Sequence, residues 1–168
     1  VIIVGVDPGP DKSGYIELDS RHPMMPVFLP GHVGNDELRW RLHNPPSPRC
    51  LAIESITSYG MPVGQSTFDT CIWIGRFIER WPGPYVLVSR PQAVIHLCGS
   101  LRATAANVNQ AIRDRHKPSG GGARPEVGTK AKPGPLYGVT GHAWSALAVA
   151  IYAADCVERE DWLMGGRA

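Results

Sequence analysis

Asp7, Glu54 and His142 are the residues of this 168-residue chain whose types and settings suit chemistry. Asp7 closes the apolar run VIIVGV, and Glu54 closes a second one, Cys50-Leu51-Ala52-Ile53. A carboxylate at the end of a buried strand is rigidly held yet still meets solvent, which is what a hard divalent cation requires. His142 stands at the start of an apolar helical pattern and adds an imidazole. Such a set suits metal-assisted hydrolysis of a phosphodiester. The anionic substrate repels nucleophiles, and two divalent ions roughly 4 Å apart neutralise it, activate a water and stabilise the leaving oxygen. Asp7 is the candidate for the carboxylate that bridges both ions. Read singly, each residue also has a plainer role: Asp7 favours the turn that follows it, and a histidine at a helix start is commonly a cap or a core-edge residue.

The elements that must position these residues follow from pattern. The β-branched run before Asp7 reads as a buried strand, Asp7-Pro8-Gly9-Pro10 as a turn, and Tyr15-Ile16-Glu17-Leu18 as a second strand paired with the first. Residues 20–33 hold three prolines, so at most a short edge strand at Val27-Phe28-Leu29 is expected. A helix capped by Asn35 or Asp36 should run to about Leu42 and stop at Asn44-Pro45-Pro46, and the strand that ends in Glu54 should lie beside the first. From 64 to 81 the spacing of Phe68, Cys71, Ile72, Gly75, Phe77, Ile78 and Trp81 predicts an amphipathic helix with those residues inward. Tyr85-Val86-Leu87-Val88 reads as a further buried strand, Pro91 opens a short helix to Leu97, and a helix over 104–115 should pack through Val108, Ala111 and Ile112. A last helix over 140–159 should pack through Ala143, Leu147, Ala150 and Ile151, with Thr140 as its cap. A meander followed by alternating units gives an α/β domain, a mixed sheet with helices on both faces.

With these elements in place, three segments, GVDPGPDKSGYIEL, LAIESITSYG and HAWSALAVAIYA, resemble in order and spacing the active-site segments of the RuvC family of Holliday-junction resolvases. They hold 36 of the 168 residues. The resemblance implies a ribonuclease H-like fold with a five-stranded sheet in one nuclease domain spanning 1–168. It also implies a homodimeric endonuclease, dependent on Mg²⁺ or Mn²⁺ with two ions per site, that nicks opposing strands of four-way junction DNA symmetrically. GPLYGVTGHAWSALAVA looks more like phage-encoded members, which would place the protein in the host cytoplasm.

By motif, Asp7 matches the family's first carboxylate, Glu54 its second, and His142 a position where relatives carry Asp or His. The family's final carboxylate falls at Ser145. A hydroxyl is a weaker ligand than a carboxylate, which leaves three accounts open: Ser145 acts through water, Asp69 or Asp11 compensates, or the site is impaired. Asp69 in the first turns of a helix is otherwise just favourable to the dipole. The family's stacking aromatic has its nearest counterpart in Tyr59, two residues late, for which loop packing is an equal reading. Ala105 and Ala106 occupy the place of an expected lysine, so Arg102, Arg113, Lys130 and Lys132 are the substitutes as DNA-binding residues, each alone also an ordinary solvated charge.

Composition agrees with this. A chain of 168 residues with 43% hydrophobic and 19% charged residues can bury one real core. Its net charge of +2 conceals seven Lys and Arg against two acids between Arg102 and Lys132, an excess of +5 that attracts a polyanion. The irregular stretch at about 117–138, rich in Gly, Pro and Lys, reads as a flexible basic loop. Cys50, Cys71, Cys98 and Cys156 lack metal or redox spacing and read as buried free thiols of a reducing cytoplasm. No apolar run approaches the length of a membrane span, and the N-terminal stretch lacks the basic flank of a signal peptide. Three other functions compete: a nuclease of the same fold acting on other branched DNA or on RNA–DNA hybrids, a catalytically impaired junction-binding protein, and an actin-like nucleotide-binding fold. The last needs a second lobe and a second phosphate loop, and neither is evident here.

Overall fold

A computed structural model describes residues 1–20, 26–43, 49–58 and 60–157. Its centre is β1 (Ile2–Asp7), flanked by β2 (Lys12–Asp19) and β4 (Arg49–Ser55); with β3 (Pro26–Gly34) beyond β2 and β5 (Tyr85–Ser89) beyond β4, the five-stranded sheet has the order β3-β2-β1-β4-β5. β1 and β2 are antiparallel and put Asp7 opposite Gly14; β1 and β4 are parallel, with Val6 opposite Ile53. The two carboxylates therefore emerge side by side at one end of the sheet, and the sheet is mixed as expected.

Two cores cover its faces. On one side α1 (Asn35–His43) and α2 (Gln65–Arg80) bury Val4, Val6, Leu38, Leu51, Ile53 and Phe77. On the other, α3 (Arg90–Cys98), α4 (Ala105–Asp114) and α5 (Ala143–Val157) enclose Ile3, Ile16, Leu18, Ile112, Leu147 and Ile151. Both α3 and α4 begin with capping boxes, Ser89 with Gln92 and Thr104 with Asn107, which satisfy otherwise unpaired amides of the first turn. α5 faces the sheet with alanines. Gly5 makes its close approach possible: a Cβ there would lie 2.2 Å from the Ala146 carbonyl oxygen and 2.9 Å from Ala150 Cβ.

Several expectations are corrected. β3 (Pro26–Gly34) is a nine-residue strand rather than a short remnant. Its prolines sit on the sheet edge, where a missing N–H costs nothing, and register shifts against β2 between Tyr15 and Leu18 absorb the irregularity. Gly31, at φ 74°, takes a left-handed conformation that a side chain would oppose. α2 buries Thr70, Ile74 and Phe77, whereas Phe68, Cys71, Ile72 and Gly75 face outward, because this helix carries two apolar stripes and only one meets the sheet. β5 (Tyr85–Ser89) is an edge strand that leaves Tyr85 and Leu87 exposed. The cysteines are free, but only Cys50 is buried; Cys71 is exposed and Cys98 and Cys156 are half-buried. The chain over 117–138 has no helix or strand of its own, yet Gly120, Gly121, Gly134 and Leu136 amides bind the carbonyls of Pro125, Lys132, Val127 and Glu126 at 2.7–2.9 Å, and Leu136 is fully buried. The expected stop at Asn44-Pro45-Pro46, Tyr59 and the far end of the last helix lie outside the described residues. Among those described, no helix is long and apolar enough to cross a membrane.

Gly5→Ala should lower stability by about 3 kcal/mol, because its Cβ meets helix backbone rather than a flexible side chain. Urea unfolding checks this; a change within about 0.5 kcal/mol would mean that α5 can back away from the sheet at little cost.

Candidate active site

The site is assembled where β1 and β4 end and α5 begins. Asp7 and Glu54 are both largely enclosed, their side chains only 13% and 15% exposed. Ribs of the sheet set what can stand above them. Asp7 is in register with Gly14, and Gly14 with His32 of β3, so that one row across three strands runs Asp7, Gly14, His32. The row has a gap at its middle, and the chain entering α5 fills it: a Cβ on Gly14 would lie 2.4 Å from the His142 carbonyl oxygen. Gly141, at φ 51°, turns the chain into the helix at this point.

From that perch His142 donates through Nδ1 to Asp7 Oδ2 at 2.6 Å. Ser145, in the first turn of α5, lines the same cavity as Glu54. Burial pushes the Asp7 carboxyl up from its ordinary range, and the hydrogen bond and charge of His142, the charge of Arg90 and the Ser145 hydroxyl each oppose that rise. Glu54 lacks comparable help. Burial first, then the negative charge of Asp7, push it up to about 7, with Arg90 and His142 opposing. Near neutrality Glu54 thus keeps part of its protonated form.

Arg90, the first residue of α3, stands 3.8 Å from Glu54 through Nη1, with its side chain 56% exposed. At that distance the pairing is loose and most of the guanidinium donors face outward. Beside it a cavity opens between β4, α3, α4 and α5. Its mouth carries Glu54, Arg90, Asn109 and Ser145, and its wall includes Trp144 and small apolar side chains. Arg113 lies with its guanidinium 5.9 Å from the Trp144 ring centre and donates to Gln110.

The structure brings together Asp7, Glu54, His142 and Ser145 from three distant stretches of sequence. It does not bring Asp69 or Asp11 to them. Asp69 accepts from Gln65 at 2.9 Å on α2, and Asp11 is an exposed turn residue whose carbonyl accepts from Asn35. Arg102, Lys130 and Lys132 are exposed, Arg102 after α3 and the lysines on the 117–138 segment. Arg90, His32 and Asn109 escaped the sequence reading. Arg90 was findable: β5 pairs in parallel with β4, Ser55 opposite Ser89, so the residue after Ser89 emerges beside Glu54.

Hard carboxylate oxygens with one imidazole are a donor set that fits Mg²⁺ or Mn²⁺, and a carboxyl raised by burial, as Glu54 is, would exchange its proton for a cation. With His142 turned onto Asp7, no three His, Cys, Asp or Glu side chains among the described residues converge at ligand spacing.

No protein-family model matches the chain, and no curated protein matches it in sequence. Its three-dimensional structure is similar to that of Thermus thermophilus RuvC, with a TM-score of 0.65 at 16% identity over 95% of this chain and 97% of the other. It is also similar to T. thermophilus RuvC in complex with a Holliday junction substrate, with a TM-score of 0.64 at 18% identity over 91% and 92%. The chain thus has the ribonuclease H-like α/β fold that the resemblance of its three segments implied.

The raised Glu54 carboxyl makes stability depend on pH. Its folded value of about 7 exceeds the ordinary 4.5, so its contribution is fully present below about pH 4.5 and lost as pH rises through about 7. In metal-free protein, Glu54→Gln should therefore become progressively more stable than wild type as pH rises, by up to about 3 kcal/mol near pH 8. Urea unfolding in chelator at about pH 5 and pH 8 measures this, and a difference that does not change with pH would contradict the raised Glu54 carboxyl.

Proposed function

We propose that this protein is a divalent-metal-dependent endonuclease that resolves four-way DNA junctions as a homodimer by paired, symmetric nicks. The observation that carries the reading is the buried carboxylate pair Asp7 and Glu54 at adjacent parallel strand ends, closed over by His142 and Ser145 of α5. The shared fold adds to it, since one solved relative of that fold holds a Holliday junction.

Asp7, Glu54 and His142 would hold the metal, with Ser145 reaching it through water. Two ions bound there would neutralise the scissile phosphodiester and lower the pKa of a water nucleophile. The chain's own groups do the rest. Asp7 is the shared centre of the cluster, accepting from His142, with the Ser145 hydroxyl also opposing the rise of its carboxyl. Arg90 presents an exposed guanidinium at the cavity mouth, where a planar fork suits two phosphate oxygens. Arg102, Arg113, Lys130 and Lys132 extend positive charge along the DNA, and Tyr59 is the residue proposed to stack on an opened junction base.

A synthetic four-way junction tests the reading. Wild-type protein should nick it at symmetry-related positions in Mg²⁺ or Mn²⁺, not in chelator, and leave linear duplex intact. Asp7→Asn should lower nicking by about a thousandfold or more while junction affinity changes by no more than about twofold, because affinity comes from phosphate contacts made elsewhere. Full cleavage by Asp7→Asn, or equal cleavage of linear duplex, would overturn it. A second reading, a junction-binding protein impaired in cleavage, is favoured by Ser145 where the family carries a carboxylate; tight binding with no nicking in either metal would select it.

Paired nicks require two sites held apart by a dimer. The outward stripe of α2, Phe68 and Ile72, follows Met61 and Val63, which are also exposed. Tyr85 and Leu87 of β5 are uncovered on the same side of the sheet, opposite Leu51 and Ile53 in register. This surface is the proposed dimer face. Phe68→Glu with Ile72→Glu should yield a folded monomer by ultracentrifugation that loses paired nicking; an unchanged dimer would move the interface elsewhere.

A further inference from the structure

His142 is unusually exposed for a residue at the centre of a site: its side chain is 63% accessible, and the Asp7 contact holds it from one side only. The other side is held by His32. The row Asp7, Gly14, His32 places two side chains on one face of the sheet with a glycine between them, and adjacent in-register residues share a face. His142 sits over that glycine and is bonded to both flanks. Its ring Nδ1 reaches Asp7, and its backbone N–H donates to His32 Nε2 at 3.1 Å. The two imidazoles also touch, with ring centres 4.9 Å apart at 57°. The chain has been cleared for this contact: a Cβ on Gly141 would stand 2.9 Å from His32 Nε2.

The direction of the hydrogen bond is informative. His142 precedes α5, so its amide has no partner within that helix, and His32 Nε2 must be the unprotonated acceptor. A side chain from an edge strand thereby satisfies the amide at the helix entry and packs its ring against the residue that it fixes.

We propose that His32 is a positioning residue of the active site, holding the α5 entry and the His142 imidazole in the orientation that faces Asp7. Its effect on nicking rests on the endonuclease reading above; its effect on the His142 ring does not. The proposal requires a neutral acceptor at the end of the side chain, so glutamine, whose amide oxygen reaches about as far, should substitute, and alanine should not.

The experiment uses the full chain with His32→Ala and His32→Gln. His32 is exposed on an edge strand, so both variants should fold, and circular dichroism checks that they do. The first readout is the ¹⁵N chemical shifts of the His142 ring in metal-free protein. Wild type and His32→Gln should show the single tautomer protonated at Nδ1, and His32→Ala a mixture. The second is junction nicking in Mn²⁺, where His32→Ala should lower kcat by about tenfold or more with unchanged junction affinity, and glutamine should restore most of it. Wild-type shifts in His32→Ala, failure of glutamine to restore them, or loss of junction affinity in place of kcat would each overturn the proposal. If wild type does not nick junctions at all, the endonuclease reading fails, and the ring shifts alone still decide whether His32 positions His142.

Discussion

The site depends on how closely α5 can lie against β1 and β2. Helices usually stand off a sheet by the thickness of two side-chain layers, about 10 Å. Here alanines on α5 meet glycines on the strands, and the helix backbone comes within contact of Gly5 and its entry within contact of Gly14. Only at that separation can His142, short of reach at an ordinary distance, touch Asp7. The same alanines bury little area each, and the core compensates with Leu147 and Ile151 on α5 and Ile3, Ile16 and Leu18 on the sheet. Packing and site are thus one constraint, and a methyl group added at either glycine is opposed by backbone that cannot move without moving the site.

Enclosing two carboxylates at the mouth of such a contact is unfavourable in the metal-free protein. Arg90 stays 3.8 Å from Glu54 and largely in solvent, whereas Asp7 has the His142 imidazole at 2.6 Å. A tight salt bridge to Glu54 would have favoured its ionised form. The raised Glu54 carboxyl is the signature of that arrangement, a group left under-compensated.

Much of this was legible in the sequence, and the failures have physical reasons. Asp7 and Glu54 could be read because each ends a β-branched or apolar run, and two parallel neighbours must deliver their ends to the same edge. His142 follows from its place at a helix start, and Ser145 only from the resemblance of HAWSALAVAIYA to the last of the three segments, with i, i+3 spacing putting it on the same face. The face of α2 was not legible, because Phe68, Cys71 and Ile72 repeat with the same period as Ile74, Phe77 and Trp81, and periodicity alone does not say which stripe meets a sheet. β3 was shortened by the reading because prolines weaken a strand in general, and only its place at the sheet edge makes them harmless. His32 was lost with it: its role comes from register across β2, a long-range fact that no local pattern encodes.

The serine at 145 fits the electrostatics better than a vacancy would. In metal-free protein burial, and after it the charge of Asp7, already pushes the Glu54 carboxyl up to about 7. A third carboxylate one helical turn beyond His142 would add its own desolvation and charge to the same pocket and push all three toward the neutral form. The Ser145 hydroxyl instead opposes the rise of the Asp7 carboxyl, as does the imidazole of His142 at 2.6 Å. The chain therefore reaches a site in which Asp7 has two groups opposing its rise, while the Glu54 carboxyl is pushed up to about 7.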